Sequence, residues 1–521
     1  MPTDEIVNQI FSSTDFLLKK HEAKVAQIYK LAPAYSFIFK KDDYKLVPNE
    51  INYMAIDGTE SVDSKYDLLV FYAGAFGYAG KLVKDFSGNL FMSEESSIKI
   101  PTEISMAIPM HEGDVVDVLE KSEILPADFP PLLMELSELA LARSVARQGV
   151  DLLLLDRSLS LEYSHLFADA LDFSLRKPST FFDADDVKMA FNLIPSPSCP
   201  PKIGPQLNWC LIRALSKRPS SWSDIVQQIG IQGGERLARE SISELESSTG
   251  LKILGDGPTL VEKFAGIDER LEKNIDIALD HILFNSNGHP LWKDGKWIQE
   301  GEIRLLSFLV LRSLLGLSYE KKIFLIGIIK ESSSTDFMTK VCGKLAEAGR
   351  LTSLSPSLGT DTVYLSSLSD ALGISTPWRT LEFDAHIHGE NTPAGVFAKG
   401  YFKLVSSYFG RVFQYDRPFY SAPPADDWIE GDPSWPGDGI SAKVISYLEP
   451  MAKEAIPEAL GYNYPLFLAD KKAKTMQAEA RRAYLSAVDF ELNKMGMFSG
   501  SGKYRDMRKY YEQMRRRNAI V

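Results

Sequence analysis

Apolar and polar positions fall into distinct registers along this chain, and each register predicts a different element. Tyr53-Met54-Ala55-Ile56 is an unbroken apolar run that ends on Asp57 and meets Gly58-Thr59-Glu60 at once. Such a run reads as a buried strand ending in a carboxylate. A polar turn over 58–65 then leads into an antiparallel strand within 66–79, where Leu68, Leu69, Val70, Phe71 and Tyr72 follow one another. The form recurs at Val150-Asp151-Leu152-Leu153-Leu154-Leu155, which ends on Asp156-Arg157-Ser158. Before it, Pro130 opens a helix with Leu133, Leu136, Leu139, Ala140 and Ala146 in its interior and Gly149 near its end.

Helical spacing marks 4–31 (Ile6, Ile10, Phe11, Leu17, Val25, Ile28), and 35–40 reads as a strand. Ile323-Phe324-Leu325-Ile326-Gly327-Ile328-Ile329 is a third buried strand, ending on Lys330. Ser332-Ser333-Ser334-Thr335 then offers a cap to a helix holding Phe337, Val341 and Leu345. Residues 378–387 and 394–406 alternate as further strand structure, and prolines and acids over 417–439 read as a long exposed loop. Around 190 the composition changes, with Pro195, Pro197, Pro200, Pro201 and Pro205 forming a rigid connection. Segments 207–215, 222–226 and 234–245, followed by Leu251-Lys252-Ile253-Leu254, have the order of a winged-helix module. A helical packing insert gives the same pattern, so both readings stand. The chain carries no 20–50-residue repeat.

Composition narrows the class. In 521 residues, 45% hydrophobic and 25% charged content is ordinary for a globular protein with a large core. No apolar stretch reaches the roughly 18 residues of a membrane span. The acidic start Met1-Pro2-Thr3-Asp4-Glu5 does not read as a signal peptide. Cys199, Cys210 and Cys342 are too dispersed for a zinc knuckle and fit a reducing cytoplasm. The net charge of -12 excludes a generally basic surface, yet 471–521 holds 13 Lys or Arg against 5 Asp or Glu. That tail, interleaved with Tyr504, Tyr510 and Tyr511, suits phosphate contact, base stacking or docking on an acidic partner.

The candidate chemistry lies at the strand ends. Asp57 and Asp156 each follow an apolar strand, so the two carboxylates are expected to converge at one sheet edge, a stiff seat for a hard cation. Gly58 lets a ligand's backbone come close. His386 and His388 lack metal-spaced partners and read as structural. Neither a phosphate-binding Gly-x-x-x-x-Gly-Lys loop nor a Gly-x-Ser-x-Gly elbow in a suitable context is present, which disfavours an ATPase and a covalent hydrolase.

Four segments in order are Ala55-Ile56-Asp57-Gly58, Leu154-Leu155-Asp156-Arg157-Ser158-Leu159, Ile326-Gly327-Ile328-Ile329-Lys330 and Gly461-Tyr462-Asn463-Tyr464-Pro465-Leu466-Phe467-Leu468-Ala469-Asp470. Together they resemble the NurA nuclease family. The resemblance implies an α/β (α+β) protein with an RNase H-like mixed sheet flanked by helices, interrupted by the mainly helical, winged-helix-like insert. It implies a divalent-metal-dependent deoxyribonuclease using Mn2+ or Mg2+. Such a protein is typically a homodimer and works on DNA ends with a HerA-type hexameric translocase, with repair and antiviral defence both fitting. Its nuclease domain would comprise 1–190 and 301–475, with the insert at 191–300 and a basic helical tail at 476–521. It implies metal ligation by Asp57, Asp156 and a helix glutamate. Glu138 takes that place, with Glu135 one turn away as competitor. Lys330 would contact the scissile phosphate or orient the water. Asp470 falls where the family often has histidine or another metal-site residue, and as a carboxylate it still suits Mg or Mn. That departure keeps open a non-catalytic DNA-binding or scaffold subunit.

Overall fold

The computed structural model describes residues 2–41, 48–65, 68–93, 102–111, 129–196, 205–217, 221–229, 234–249, 265–285, 287–387, 395–406, 410–420, 429–430, 440–452 and 461–494. The expected small strand at 251–254, Cys199, His388 and the tail beyond 494 lie outside these residues.

A long helix, α1 (Pro2–Leu31), leads into a 3-10 turn over Ala32–Ile38 and a two-residue strand, β1 (Phe39–Lys40). The strand expected over 35–40 is therefore mostly helical turn. Pro33 presets a helical φ at the head of this segment, and Tyr35 and Ile38 bury themselves at helical spacing. The chain then forms β2 (Glu50–Lys65), β3 (Leu68–Lys84), β4 (Leu90–Ser93), β5 (Glu103–His111), α2 (Phe129–Gln148), β6 (Leu152–Leu155), α3 (Leu159–Arg176) and α4 (Ala184–Asn192). After these come α5 (Pro205–Lys217), α6 (Trp222–Ile229), α7 (Gly234–Thr249), α8 (Ala265–Leu283), β7 (Trp292–Lys293), β8 (Lys296–Trp297), α9 (Glu300–Lys321) and β9 (Phe324–Ile329). A π-helical turn at Phe337–Val341 runs into α10 (Cys342–Glu347), and α11 (Asp361–Ala371) follows. The last elements are β10 (Trp378–Thr380), β11 (Phe383–Asp384), β12 (Phe397–Lys403), β13 (Phe413–Pro418), α12 (Val444–Ala452) and α13 (Tyr464–Lys494). None of the described helices is long and apolar enough to cross a membrane.

Eleven strands make one mixed sheet in the order β1-β10-β12-β13-β9-β6-β2-β3-β4, with β11 added on β12 and β5 on β3. β6 runs parallel to both β2 and β9, and the outer pairings are antiparallel. Strand parity sorts the core into two layers. Met54, Ile56, Leu153, Leu155 and Leu325 pack with α2, α3, α8 and α9. Tyr53, Ala55, Leu152, Leu154, Phe324, Ile326 and Ile328 pack with α12 and the start of α13. The class is thus α/β, a large mixed sheet flanked by helices.

The turn expected over 58–65 is strand. β2 and β3 pair without a break from Glu50↔Val83 to Lys65↔Leu68, which puts Asp57 in mid-strand opposite Phe76. The polar residues past Asp57 suit a strand because α13 covers their face with polar partners. Gln477 meets Thr59, Arg481 and Tyr484 both bond Asp63, and Lys65 bonds Asp489. Asp57 marks an end of a different kind: its parallel neighbour β6 stops one step earlier, at Leu155 opposite Ile56.

Two other expectations are corrected. Arg417, placed in an exposed loop, lies in β13 fully buried, with Nε donating to Glu382 at 2.8 Å. The first amides of the helical turn at Phe337–Val341 are capped by Asp361 of α11, which accepts from Phe337 N and Met338 N at 2.9 Å each, while Ser334 Oγ accepts from Asp336 N just before it. In the insert, α5, α6 and α7 close a small core of Leu207, Leu211, Trp222, Ile225, Ile242 and Leu245 against α4. By contrast, Leu271, Ile275 and Ile282 of α8 belong to the main core.

Candidate functional site

Three adjacent central strands, β9, β6 and β2, deliver Lys330, Asp156 and Asp57 to one face. Each continues the parity of residues packed under α12 and α13, so the side chains project into the same layer. Asp156 still follows the β2 ladder, its N–H donating to Ile56 O at 3.3 Å, and this sets the two aspartates side by side. Lys330 Nζ sits between them, ion-paired with Asp156 and 3.6 Å from Asp57 Oδ2. Tyr462, just before α13, donates its hydroxyl to Asp156 Oδ1 at 2.8 Å, and Lys330 lies over its ring at 4.9 Å.

Glu138 approaches from the opposite layer. Gly58 has the parity of Met54 and Ile56 and so faces α2, where a Cβ would collide with Glu138 Oε1 and stand 2.7 Å from Met134 Cγ. Glycine here opens the close approach of a carboxylate on α2 rather than of a ligand backbone. Arg157, directly after Asp156, holds Glu138 through Nε at 2.6 Å, and stands 3.9 Å from Glu135 and 3.5 Å from Glu162. Glu135 thus belongs to the same acidic cluster, with Oε1 buried and lacking a hydrogen bond. Asp470 stands at the rim on α13, paired with Lys474 at 2.7 Å, close enough for its charge to be felt by Lys330 and Tyr462.

The electrostatics follow from burial of unbalanced charge. Desolvation, then the negative charges of Asp156 and Glu138, push Asp57 from 3.8 up to about 9 against the pull of Lys330. Burial raises Glu138 to about 7 despite Arg157, and burial with the Glu162 charge raises Glu135 to about 8. Burial opposes the charge on Lys330, yet Asp156 and Asp57 hold its ammonium above the ordinary range. Tyr462 is driven well up by burial and by Asp156 beside it.

Among the described residues, no three acidic, histidine or cysteine side chains stand together as a metal cage. Asp57 and Asp156 stand instead as a pair on either side of Lys330, with Glu138 turned onto Arg157. The donors of this pair are hard carboxylate oxygens, and burial with the negative charges of Asp156 and Glu138 makes Asp57 resist ionisation. Both properties fit an oxygen-loving divalent cation with water completing its shell.

Of the residues expected at the site, Asp57, Asp156 and Lys330 meet directly, Glu138 stands beneath them and Asp470 stands at the edge. Arg157 and Tyr462 were unassigned in the sequence, although each sits inside a segment quoted for the resemblance. An arginine or tyrosine next to an apolar run carries no signal of its own.

The fold and site are those of an α/β protein with a cluster of carboxylates around Lys330 and Arg157 at the ends of its central parallel strands. The sequence matches the family model described as NurA domain over residues 51–475, and the chain belongs to the NurA family. No curated protein matches it. Among solved structures it is similar to the NurA nuclease from Sulfolobus solfataricus, at 15% identity over 94% of this chain and 95% of that one, with a TM-score of 0.40. NurA with manganese is 12% identical, covering 92% and 98%, also at 0.40. NurA bound to dAMP and manganese is 13% identical, covering 89% and 92%, at 0.34.

Proposed function

We propose that this chain is a divalent-metal-dependent deoxyribonuclease, with Asp57 and Asp156 as the metal ligands. The observation that carries the reading is the pair of buried aspartates facing one seat with too little positive charge around them. Family membership supports it, as does the occurrence of manganese and dAMP in solved NurA structures. When bound, Mn2+ or Mg2+ supplies Lewis-acid activation of water and neutralises charge on the phosphate. Asp57 and Asp156 hold their oxygens in place through the β2 and β6 ladders. Tyr462 fixes the rotamer of Asp156. Lys330, two-fifths exposed at its side chain, would supply a point charge to the scissile phosphate. Glu138, now bonded to Arg157, would be the third residue to hold the metal, with Glu135 beside Arg157 and Asp470 as a further carboxylate at the rim.

The finer parts of the reading are an RNase H-like core, a homodimer, cytoplasmic location and a HerA-type hexameric translocase delivering DNA ends, in repair or antiviral defence. The nuclease domain then takes 1–190 and 301–475, the winged-helix-like insert 191–300 contacts DNA, and the basic tail 476–521 grips phosphates or docks on the translocase.

Cleavage of end-labelled single- and double-stranded DNA with Mn2+, Mg2+ or EDTA tests this. Wild type cuts only with metal, and Asp57→Asn and Asp156→Asn each lose about a hundredfold or more, since a ligand outweighs the outer-shell partners whose loss costs roughly 10–100-fold. Undiminished cutting by both variants overturns the site. A second reading, a DNA-binding or scaffold subunit without catalysis, is favoured by the way Lys330 already fills the cation seat. Tight DNA binding with no metal-dependent cutting, alone or with the translocase, would select it.

A further inference from the structure

The turn from β6 into α3 carries Asp156 and Arg157, and it is built on a residue far away in the chain. Four donors of this turn converge on the carboxylate of Asp416 in β13, 258 positions after Ser158. Leu159 N reaches Oδ1 at 3.0 Å. Ser160 N reaches Oδ2 at 2.9 Å, and the hydroxyls of Ser158 and Ser160 reach the same oxygen at 2.7 Å each. The local cap is weaker: Ser158 Oγ accepts from Leu161 N at 3.3 Å while its own proton goes to Asp416.

Sheet register explains how β13 reaches the turn. One transverse row runs Lys399, Asp416, Gly327, Leu155, Ile56 across β12, β13, β9, β6 and β2. Asp416 leans over Gly327 toward α3, and a Cβ on Gly327 would meet the Arg157 carbonyl, Asp416 Oδ1 at 2.5 Å and Leu159 at 3.0 Å. Lys399, buried beside Asp416, lends it positive charge. Asp416 is itself fully buried, so its four bonds have no competition from water.

We infer, on the reading of Asp156 as a metal ligand, that Asp416 is a positioning residue which sets the Asp156 carboxylate against Asp57. Asp156 has one ladder bond on its N-terminal side. On the C-terminal side, the path through Arg157 and Ser158 is fixed by where Asp416 holds the first turn of α3. Freeing that turn lets Asp156 wander relative to Asp57 and lets Arg157 shift from Glu138.

The test uses the full chain and Mn2+ alone, with free Mn2+ read by electron paramagnetic resonance and stability by thermal unfolding. Asp416→Ala is expected to weaken Mn2+ binding about tenfold or more, the scale of outer-shell loss. The double variant Ser158→Ala/Ser160→Ala leaves Asp416 and both amide donors in place. It weakens binding in the same direction by a smaller factor, and it carries the test if Asp416→Ala does not fold. Asp361→Ala removes a buried helix-capping carboxylate of the same kind away from the seat, so it lowers stability without changing Mn2+ affinity. Unchanged affinity in both the Asp416 and the serine variants overturns the inference. So does an Asp361→Ala variant that loses affinity equally, because affinity then merely follows stability. A wild type that binds no Mn2+ overturns the metal reading of the site, and the inference with it.

Discussion

Helix α2 carries two charge clusters two turns apart, one partly exposed and one largely buried, and they are wired oppositely. Toward its C-terminus, Arg143 and Arg147 face Glu272 and Asp276 of α8, with Ser313 of α9 completing the set. Two cations meet two carboxylates. Although burial works against them, the arginines hold both acids below their ordinary values. Toward its N-terminus, five carboxylates (Asp57, Glu135, Glu138, Asp156 and Glu162) form ion pairs with two cations, Lys330 and Arg157, among the described residues. Here burial wins, and Asp57, Glu135 and Glu138 are pushed up. A matched cluster ties helices together. An unmatched one leaves its buried carboxyl groups pushed toward the neutral form.

Removing one partner from each cluster separates the two roles most sharply. Arg143→Met strands two acids at a helix junction and is expected to cost about 2 kcal/mol in denaturant unfolding. That is less than the roughly 3–5 kcal/mol of a fully buried pair, because Glu272 and Asp276 keep part of their water. DNA cleavage by this variant stays at the wild-type level. Asp57→Asn in EDTA does the reverse and raises stability, since Asn folds without the proton uptake that burial and the charges of Asp156 and Glu138 impose on Asp57. A loss of stability there would erase the distinction between the clusters.

Gly58→Ala is expected to cost about 1–3 kcal/mol, the usual toll of overpacking, because the new methyl lands on Glu138 and Met134. Mn2+ affinity falls with it as Glu138 is pushed off the sheet, whereas an alanine accommodated with unchanged affinity would remove Glu138 from the seat.

The two clusters also respond to pH with opposite signs. Folded Asp57 keeps its proton up to about pH 9 and the unfolded chain releases it near 3.8, so the folded state binds more protons between those limits. Its contribution in metal-free protein therefore declines as pH rises through that window. Glu272 and Asp276 are held below their ordinary 4.5 and 3.8, so their contribution is present above those values and is lost as pH falls through the lowered ones. Unfolding temperatures measured from pH 5 to 9 in EDTA should fall with pH, and added Mn2+ should flatten the slope. An equal slope with and without metal would separate Asp57 from the cation seat.

The central strands were legible because both of their faces are dry: Leu152 to Leu155 and Ile323 to Ile329 admit no reading but a buried strand. Parity combined with the register of the ladders puts Asp57, Asp156 and Lys330 on one face. The second half of β2 was illegible for a related reason. Its buried face meets the polar side of α13, so Thr59, Asp63 and Lys65 show no apolar alternation. Glu138 emerged from resemblance rather than pattern, since α2 is buried almost all round and offers no polar face to locate it. Arg417 looked like loop because a fully buried arginine is announced only by its partner Glu382, 35 positions earlier. Asp416 is the extreme case. Its partners lie across the sheet, and no local window contains them.

The most direct measurement is anomalous scattering from crystals of the full chain soaked in Mn2+. A peak bonded to the carboxylate oxygens of Asp57 and Asp156, with Lys330 displaced from between them, is the predicted result. Lys330 still seated between the aspartates, with no peak there at saturating Mn2+, would contradict the account.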